Sequence, residues 1–210
     1  MFNRDLLDKA LAQGTATLFE SAMLPTTVAV DPLIHPIWPG AAVAGPAYPV
    51  ECAPGDNLGI QIALERAPKG AVQVVDARGF IAGYWGEVPT VYAEARGIRG
   101  LVIDGGVRDT AALQARGFPA FARGISVRGT LKTSVPSVGK PLSLAGTSVA
   151  AGDLVLGDAD GVLVIPADQV EATIARGQAR VAKEAEWMKV LVAGATTLDL
   201  MGLADWRNRI

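Results

Sequence analysis

Residues 101–109 read LVIDGGVRD. An apolar run from Leu101 to Ile103 ends in a carboxylate at Asp104, and a glycine pair, Gly105 and Gly106, follows. After Val107 a guanidinium and a carboxylate stand side by side at Arg108 and Asp109. Residues 109–117, DTAALQARG, have the apolar spacing and closing glycine of a short helix. The pattern predicts a buried strand, a glycine turn and a helix start, with charge gathered at the turn. α/β proteins build ligand sites at such places.

Upstream, residues 71–76 (AVQVVD) form a second β-branched run ending in Asp76. Between the two runs, Val88, Val91, Tyr92 and Ala95 suit one face of a helix that Gly97 closes. Residues 71–117 therefore predict a βαβ unit with parallel strands and a right-handed connection. Parallel strands finish on one edge of their sheet. That geometry places Asp76, Asp104 and the helix start at Glu87 on the edge that also carries Arg108 and Asp109, although twenty residues separate Glu87 from Arg108.

The remaining chain fits one domain, residues 1–210. Residues 5–13 and 15–21 read as helical pieces, giving an N-terminal helix over about 4–22. Six prolines punctuate residues 25–50, where only short strands such as 27–30 and 41–44 are expected. Residues 57–66 read as a helix, and residues 134–150 as loops and short strands. A hairpin is expected from residues 154–156 and 162–165, joined by the turn at Asp158–Gly161. Asp168 and Glu171 have capping-box spacing at the start of the last helix, with Val170, Ile174, Val181, Met188 and Leu191 as its apolar seam. The tail carries Leu198, Leu200, Leu203 and Trp206, an apolar set that docks on its own domain or on a neighbouring subunit. The C-terminal helix and tail span about 168–206.

Composition narrows the chemistry. Half of the 210 residues are hydrophobic and the formal net charge is −2. A nucleic-acid binder needs a basic stripe that this chain lacks. The single cysteine, Cys52, forms no intrachain disulfide, which fits a cytoplasmic setting. No run approaches the roughly 18–20 apolar residues of a membrane span. The lone histidine, His35, sits among prolines and apolar residues and reads as structural, which argues against a Ser-His-Asp triad or a multi-histidine zinc site. Oxygen ligands and a hard ion, Mg²⁺ or Mn²⁺, are the metal chemistry left. None of the six lysines has a context that marks a desolvated Schiff-base amine.

Two readings of the charged residues stand side by side. Asp109 either caps the helix it precedes or binds a metal. Glu87 is favoured at a helix start on electrostatic grounds alone, and Asp76 and Asp104 read as turn-stabilising. Neither capping nor the helix dipole accounts for Arg108, whose guanidinium can hold a carboxylate through two hydrogen bonds.

The stretch GYWGEVPTVYAEARGIRGLVIDGGVRD (residues 83–109), with GFPAFARG (117–124) and GDLVLGDADGVLVIP (152–166), resembles the RraA-like family. That family includes divalent-metal-dependent 4-hydroxy-4-methyl-2-oxoglutarate/4-carboxy-4-hydroxy-2-oxoadipate aldolases and the RraA regulators of ribonuclease E. The resemblance implies an α/β fold: a three-layer β/β/α sandwich of the swivelling, phosphohistidine-domain type, assembled as trimers or hexamers. It implies Asp109 as the protein ligand of a largely water-coordinated Mg²⁺ or Mn²⁺, Arg108 on the oxo-acid end of the substrate, and Glu87 in the outer shell of the metal. Backbone amides around Gly86, Glu87 and Val88 would hold the substrate carboxylate. Glu184, on the last helix of an adjacent subunit, would complete the site, so the terminal helices would pack at subunit interfaces. The implied reaction is retro-aldol cleavage of a 4-hydroxy-2-oxo diacid to pyruvate, with oxaloacetate decarboxylation as a companion. The rivals are a non-catalytic regulator and an enzyme for another 2-oxo acid. Two positions depart from the aldolase pattern: Glu87 stands where aspartate is common, and Pro89 has no N–H to offer.

Overall fold

The computed structural model describes residues 2–23 and 28–209. Its helices are α1 (Arg4–Ser21), α2 (Leu58–Arg66), α3 (Glu87–Arg96), α4 (Thr110–Arg116), α5 (Val170–Val192) and α6 (Thr197–Leu200). Its strands are β1 (His35–Pro36), β2 (Val43–Glu51), β3 (Val72–Asp76), β4 (Gly100–Val107), β5 (Ala120–Ile125), β6 (Ser137–Val138), β7 (Leu142–Leu144), β8 (Thr147–Val149), β9 (Leu154–Asp158) and β10 (Gly161–Ile165).

The βαβ expectation holds. β2, β3, β4 and β5 are parallel neighbours, and Asp76 lies beside Asp104 in the β3–β4 register. Antiparallel strands extend both ends of this block, giving the order β1-β5-β4-β3-β2-β9-β10, with β6 also on β2. β9 and β10 are the expected hairpin, and β7 and β8 form a separate one.

β2 is longer than the short strand expected at 41–44 and passes through Pro46 and Pro49. It changes neighbours on the way: Val43 to Pro46 face β9, and Ala47 to Glu51 face β3. The Pro49 carbonyl accepts from the Gly139 N–H on the β6 side. Its nitrogen faces the same side, so the ladder to β3 loses no donor. The strand expected at 27–30 begins on a residue outside those described; within the described part, Ala29 makes only an isolated bridge to Leu163.

Apolar burial builds the layers. On one face of the parallel block, Val50, Val75, Leu101 and Ile103 pack with Ile60 and Leu64 of α2, Ala93 of α3 and Leu113 of α4. On the other face, Val72, Val74, Val102 and Phe121 pack against Leu144, Val149, Val155 and Val164 of the antiparallel strands. These are the three layers, β/β/α. A fourth, unforeseen layer lies outside them, where Leu7, Ala10, Leu18 and Ile174 of α1 and α5 cover Leu154, Leu156 and Leu163.

The two N-terminal helical pieces are one helix kinked at Gly14, whose φ of 80° breaks the turn. Asp158 caps the second piece, accepting from the Thr15 N–H at 2.7 Å and from its hydroxyl. Gly177, which looks like a weak point in α5, is needed by packing: a Cβ there would overlap Gln13 and come within 2.8 Å of Leu18.

Three expectations are corrected. Gly105 and Gly106 are not a turn: β4 runs through them to Val107, with a register shift between Ile103 and Gly106. Their small size admits the preceding loop, because a Cβ on Gly106 would meet the Ala82 backbone N at 2.9 Å. Second, α3 does not bury Val88, Val91, Tyr92 and Ala95; those face outward, and Thr90 and Ala93 face the core. The deciding contact is polar: the Trp85 indole N–H donates to the Thr90 hydroxyl at 2.7 Å, which itself donates to the Gly86 carbonyl. Third, no capping box forms at Asp168, which lies in a 3-10 turn ahead of α5, while Asp153 accepts from the Ala167 N–H. Of the expected α5 seam, Val170 and Ile174 are buried against the chain's own domain, while Val181 and Met188 are exposed on the single chain, as are Leu203 and Trp206 of the tail.

Candidate active site

The chain reaches the site through a tight junction. After Val107, the Arg108 N–H donates to the Trp85 carbonyl at 2.8 Å, and Trp85 bridges Val107 in parallel. The loop before α3 thus lies along the end of β4, and the first turn of α3 comes beside Arg108 and Asp109. The turn into α4 falls on Asp109, which takes left-handed φ and ψ of 57° and 36°. A non-glycine residue there is strained by roughly 1–2 kcal/mol, and aspartate tolerates the region better than most.

Asp109 occupies the N-cap position of α4 but makes no side-chain hydrogen bond to that helix. The capping reading is corrected: its Oδ2 instead accepts from the Glu87 N–H at 3.0 Å, satisfying a free donor of α3. Arg108 Nε stands 3.8 Å from the same oxygen, and both side chains are about half exposed. Room for this pair comes from Gly83 and Gly86. A Cβ on Gly83 would meet Arg108 Cδ at 2.8 Å; one on Gly86 would overlap the Asp109 carboxylate. The Gly-Tyr-Trp-Gly spacing of residues 83–86 is the sequence signal for this room.

Glu87, Arg108 and Asp109 line one open cleft of about 750 Å³ with Thr110, Ala111, Ala112, Ile125, Ser126 and Val127. Convergence of the three charged residues follows from the parallel βαβ geometry. Glu87 is not loose in this cleft. Arg116, in the last turn of α4, donates to Glu87 Oε1 from Nε and Nη2 at 3.2 and 3.1 Å, and from Nη1 to Glu94 at 3.1 Å. The bond to Glu87 is the main cause that holds the Arg116 guanidinium above its usual pKa.

The other nominated residues lie elsewhere. Asp104 is not at a turn: it is buried within β4 and bonded to Arg123 Nε, while Arg123 Nη2 reaches Asp31 at 2.9 Å. Asp76 accepts from the Arg78 N–H at 2.8 Å, and burial, then the neighbouring Asp104 charge, push its pKa up. Glu184 pairs with Arg180 at 2.8 Å and is not among the residues that line the cleft of its own chain. Val88 is not among the residues that line the cleft; its side chain is exposed, and its N–H has no backbone partner among the described residues.

Among the described residues, no three His, Cys, Asp or Glu side chains are grouped to hold a metal. A caged ion is therefore not the arrangement to consider. Among the described residues no donor reaches Asp109 Oδ1, and Asp109 lines a wide cleft. That oxygen suits an ion such as Mg²⁺, which keeps several waters and needs only one or two carboxylates.

The family model for RraA-like proteins, Aldolase/RraA, matches residues 6–164. Putative 4-hydroxy-4-methyl-2-oxoglutarate aldolase of Halalkalibacterium halodurans is 36% identical over 77% of this chain and 81% of its own. Protein DlpA of Legionella pneumophila is 31% identical over 79% of this chain, which spans only 28% of that protein. Among solved structures, an uncharacterised protein from Pseudomonas syringae superposes with a TM-score of 0.82 at 27% identity, covering 93% of this chain and 96% of that one. The RNA-processing inhibitor RraA from Thermus superposes at 0.60 and 27% identity, covering 66% and 84%. This chain belongs to the RraA-like family. No helix among the described residues is long and apolar enough to cross a membrane.

Proposed function

We propose that this protein is a lyase that cleaves the C3–C4 bond of a 4-hydroxy-2-oxo acid to release pyruvate, with oxaloacetate decarboxylation as a companion activity. The observation that carries the reading is the pairing, at one cleft, of a half-exposed guanidinium at Arg108 with a strained, half-exposed carboxylate at Asp109. Backbone strain of this kind gathers at functional sites. The relative from Halalkalibacterium halodurans is named for an aldolase of such a substrate.

Asp109 would hold a divalent ion, Mg²⁺ or Mn²⁺, through the oxygen that Glu87 N–H leaves free. When bound, that ion supplies Lewis-acid polarisation of the 2-oxo group. Arg108 donates to the oxo-acid end and meets the negative charge that grows on the 2-oxo oxygen as the bond breaks. The Val88 N–H, in the first turn of α3, donates to the substrate carboxylate; Pro89 offers nothing further. The C4 hydroxyl proton passes to a water held by Glu87 or by Glu184 of a second copy of the chain, in a trimer or hexamer. Decarboxylation of oxaloacetate develops the same pyruvate enolate and draws on Arg108 and the Val88 N–H, but it has no C4 hydroxyl proton to give up; in both reactions a proton from water on C3 completes pyruvate.

The test is pyruvate release from 4-hydroxy-4-methyl-2-oxoglutarate and from oxaloacetate, with Mg²⁺ and with EDTA. Turnover should need the ion and vanish in Asp109→Ala; no pyruvate from either substrate would sink the reading. Mixing inactive Asp109→Ala chains with inactive Glu184→Ala chains should restore part of the activity if two copies share a site. A second reading, a non-catalytic regulator, draws on the likeness to the Thermus inhibitor and on the outward apolar residues Val88, Val91 and Tyr92 of α3. Inhibition of ribonuclease E that survives Asp109→Ala but not Tyr92→Glu, without pyruvate release, would favour it.

A further inference from the structure

We propose that Arg116 is a positioning residue of this cleft: it fixes Glu87 by one carboxylate oxygen and leaves the other to hold the water that accepts the substrate proton. The inference rests on the lyase reading above and adds a residue to it.

Two donors of Arg116, Nε and Nη2, converge on Oε1 of Glu87, and no protein donor among the described residues reaches Oε2. The third arm, Nη1, is anchored on Glu94, seven residues and about two turns further along the same face of α3. The guanidinium is thus braced at one end and presents a fork at the other, which a lysine ammonium cannot do. Glu87 is also held from behind, since its own N–H is tied to Asp109. Side chain and backbone of one residue are therefore fixed by the two ends of the same seven-residue helix: Asp109 before it and Arg116 in its last turn.

Chain length enters here. Glu87 is one methylene longer than aspartate, and its reach brings Oε1 to 3.1 Å from Arg116. Arg108 is the cation that lines the cleft together with Glu87. A Glu87 carboxylate released from α4 is then free to turn toward the guanidinium that binds substrate, and its proton-accepting oxygen loses its orientation.

The plain alternative is a surface ion pair, which contributes little. Steady-state kinetics with 4-hydroxy-4-methyl-2-oxoglutarate and Mg²⁺ separate the two, because that substrate has a C4 hydroxyl proton to give up and oxaloacetate has none. Arg116→Ala should lower kcat by about 10- to 100-fold, the range seen when an outer support of a site residue is removed, with the unfolding midpoint nearly unchanged. Arg116→Lys should recover part of that loss. Glu87→Asp, whose shorter carboxylate falls away from Arg116, should lose a similar factor, and adding Arg116→Ala to it should cost nothing more. Additive losses in the double variant, or undiminished kcat in Arg116→Ala, would overturn the proposal while leaving the lyase reading intact. No turnover by the unaltered protein would overturn both.

Discussion

Asp109 caps a helix other than its own. Its Oδ2 accepts from the backbone N–H of Glu87, 22 residues upstream, at 3.0 Å, while the free amides of α4 receive nothing from it. The first turn of α3 and the start of α4 are tied through one carboxylate, and the same carboxylate faces the cleft. Structural and chemical demands on Asp109 can therefore be separated by substitution.

Asp109→Asn is the variant that does so. Asparagine accepts left-handed backbone as readily as aspartate, and its amide oxygen can still take the Glu87 N–H. Urea unfolding should shift by less than about 1 kcal/mol, the value of one ordinary hydrogen bond. Mg²⁺-dependent pyruvate release, which needs the charge, should disappear. A large loss of stability would show that the charge, not the geometry, holds α3 and α4 together.

Gly86→Ala should do the reverse. Gly86 has extended backbone, so alanine is not strained there, but its methyl would overlap the Asp109 carboxylate and press on Arg108 Cγ at 3.0 Å. Displacing both should cost about 1–3 kcal/mol of stability, as overpacking does, and weaken Mn²⁺ binding measured by calorimetry. Unchanged metal affinity would contradict the placement of Asp109 against Gly86.

Arg123→Ala removes the partner of a buried carboxylate. Arg123 bonds both Asp104, whose side chain is 8% exposed, and Asp31. Breaking a buried pair from one side costs about 3–5 kcal/mol because a charge is left without a counter-ion. Denaturant unfolding should show that loss; a change near zero would mean that water reaches Asp104 freely.

Asp76→Asn should stabilise the protein at neutral pH. Burial, followed by the Asp104 and Glu51 charges, raises the Asp76 pKa above 3.8, although the Arg78 N–H pulls the other way. A raised folded-state pKa means that stability is fully present below the unfolded value and is lost as pH rises through the folded one. Asparagine escapes that loss and can still accept from Arg78. The gain over wild type should be present at pH 7 and fade as the pH falls toward 4, followed by thermal unfolding across that range. A variant less stable at pH 7 would overturn the sign.

The parallel core could be read from sequence because its signals are local. The β-branched runs ending at Asp76 and Asp104 pair in register, and the helix between them must return the chain to the same sheet edge. That constraint alone brought Glu87 to Arg108 and Asp109. What escaped was set by contacts between distant segments. α3 turns Thr90 inward because the Trp85 indole needs an acceptor, and apolar periodicity cannot report that bond. The glycine pair in β4 looked like a turn because its cause, the approach of Ala82, lies more than twenty residues earlier. Arg116 sits where any helix C-terminus favours a cation, so only coordinates separate its grip on Glu87 from that general preference. Gly177 looked like a flaw until α1 was packed against it.

Among the described residues, those that line the cleft run from Glu87 to Val127. With the Gly83–Gly86 loop added, one uninterrupted stretch of sequence carries the charged groups, the supports behind them and the facing wall. The outer layer of α1 and α5 lies beyond both of its ends. Such a stretch behaves as a cassette: exchanged whole between relatives it should carry Glu87, Arg108 and Asp109 along with their supports, whereas exchanged at a boundary inside α3 or α4 it would separate Glu87 from Arg116 or Gly86 from Asp109.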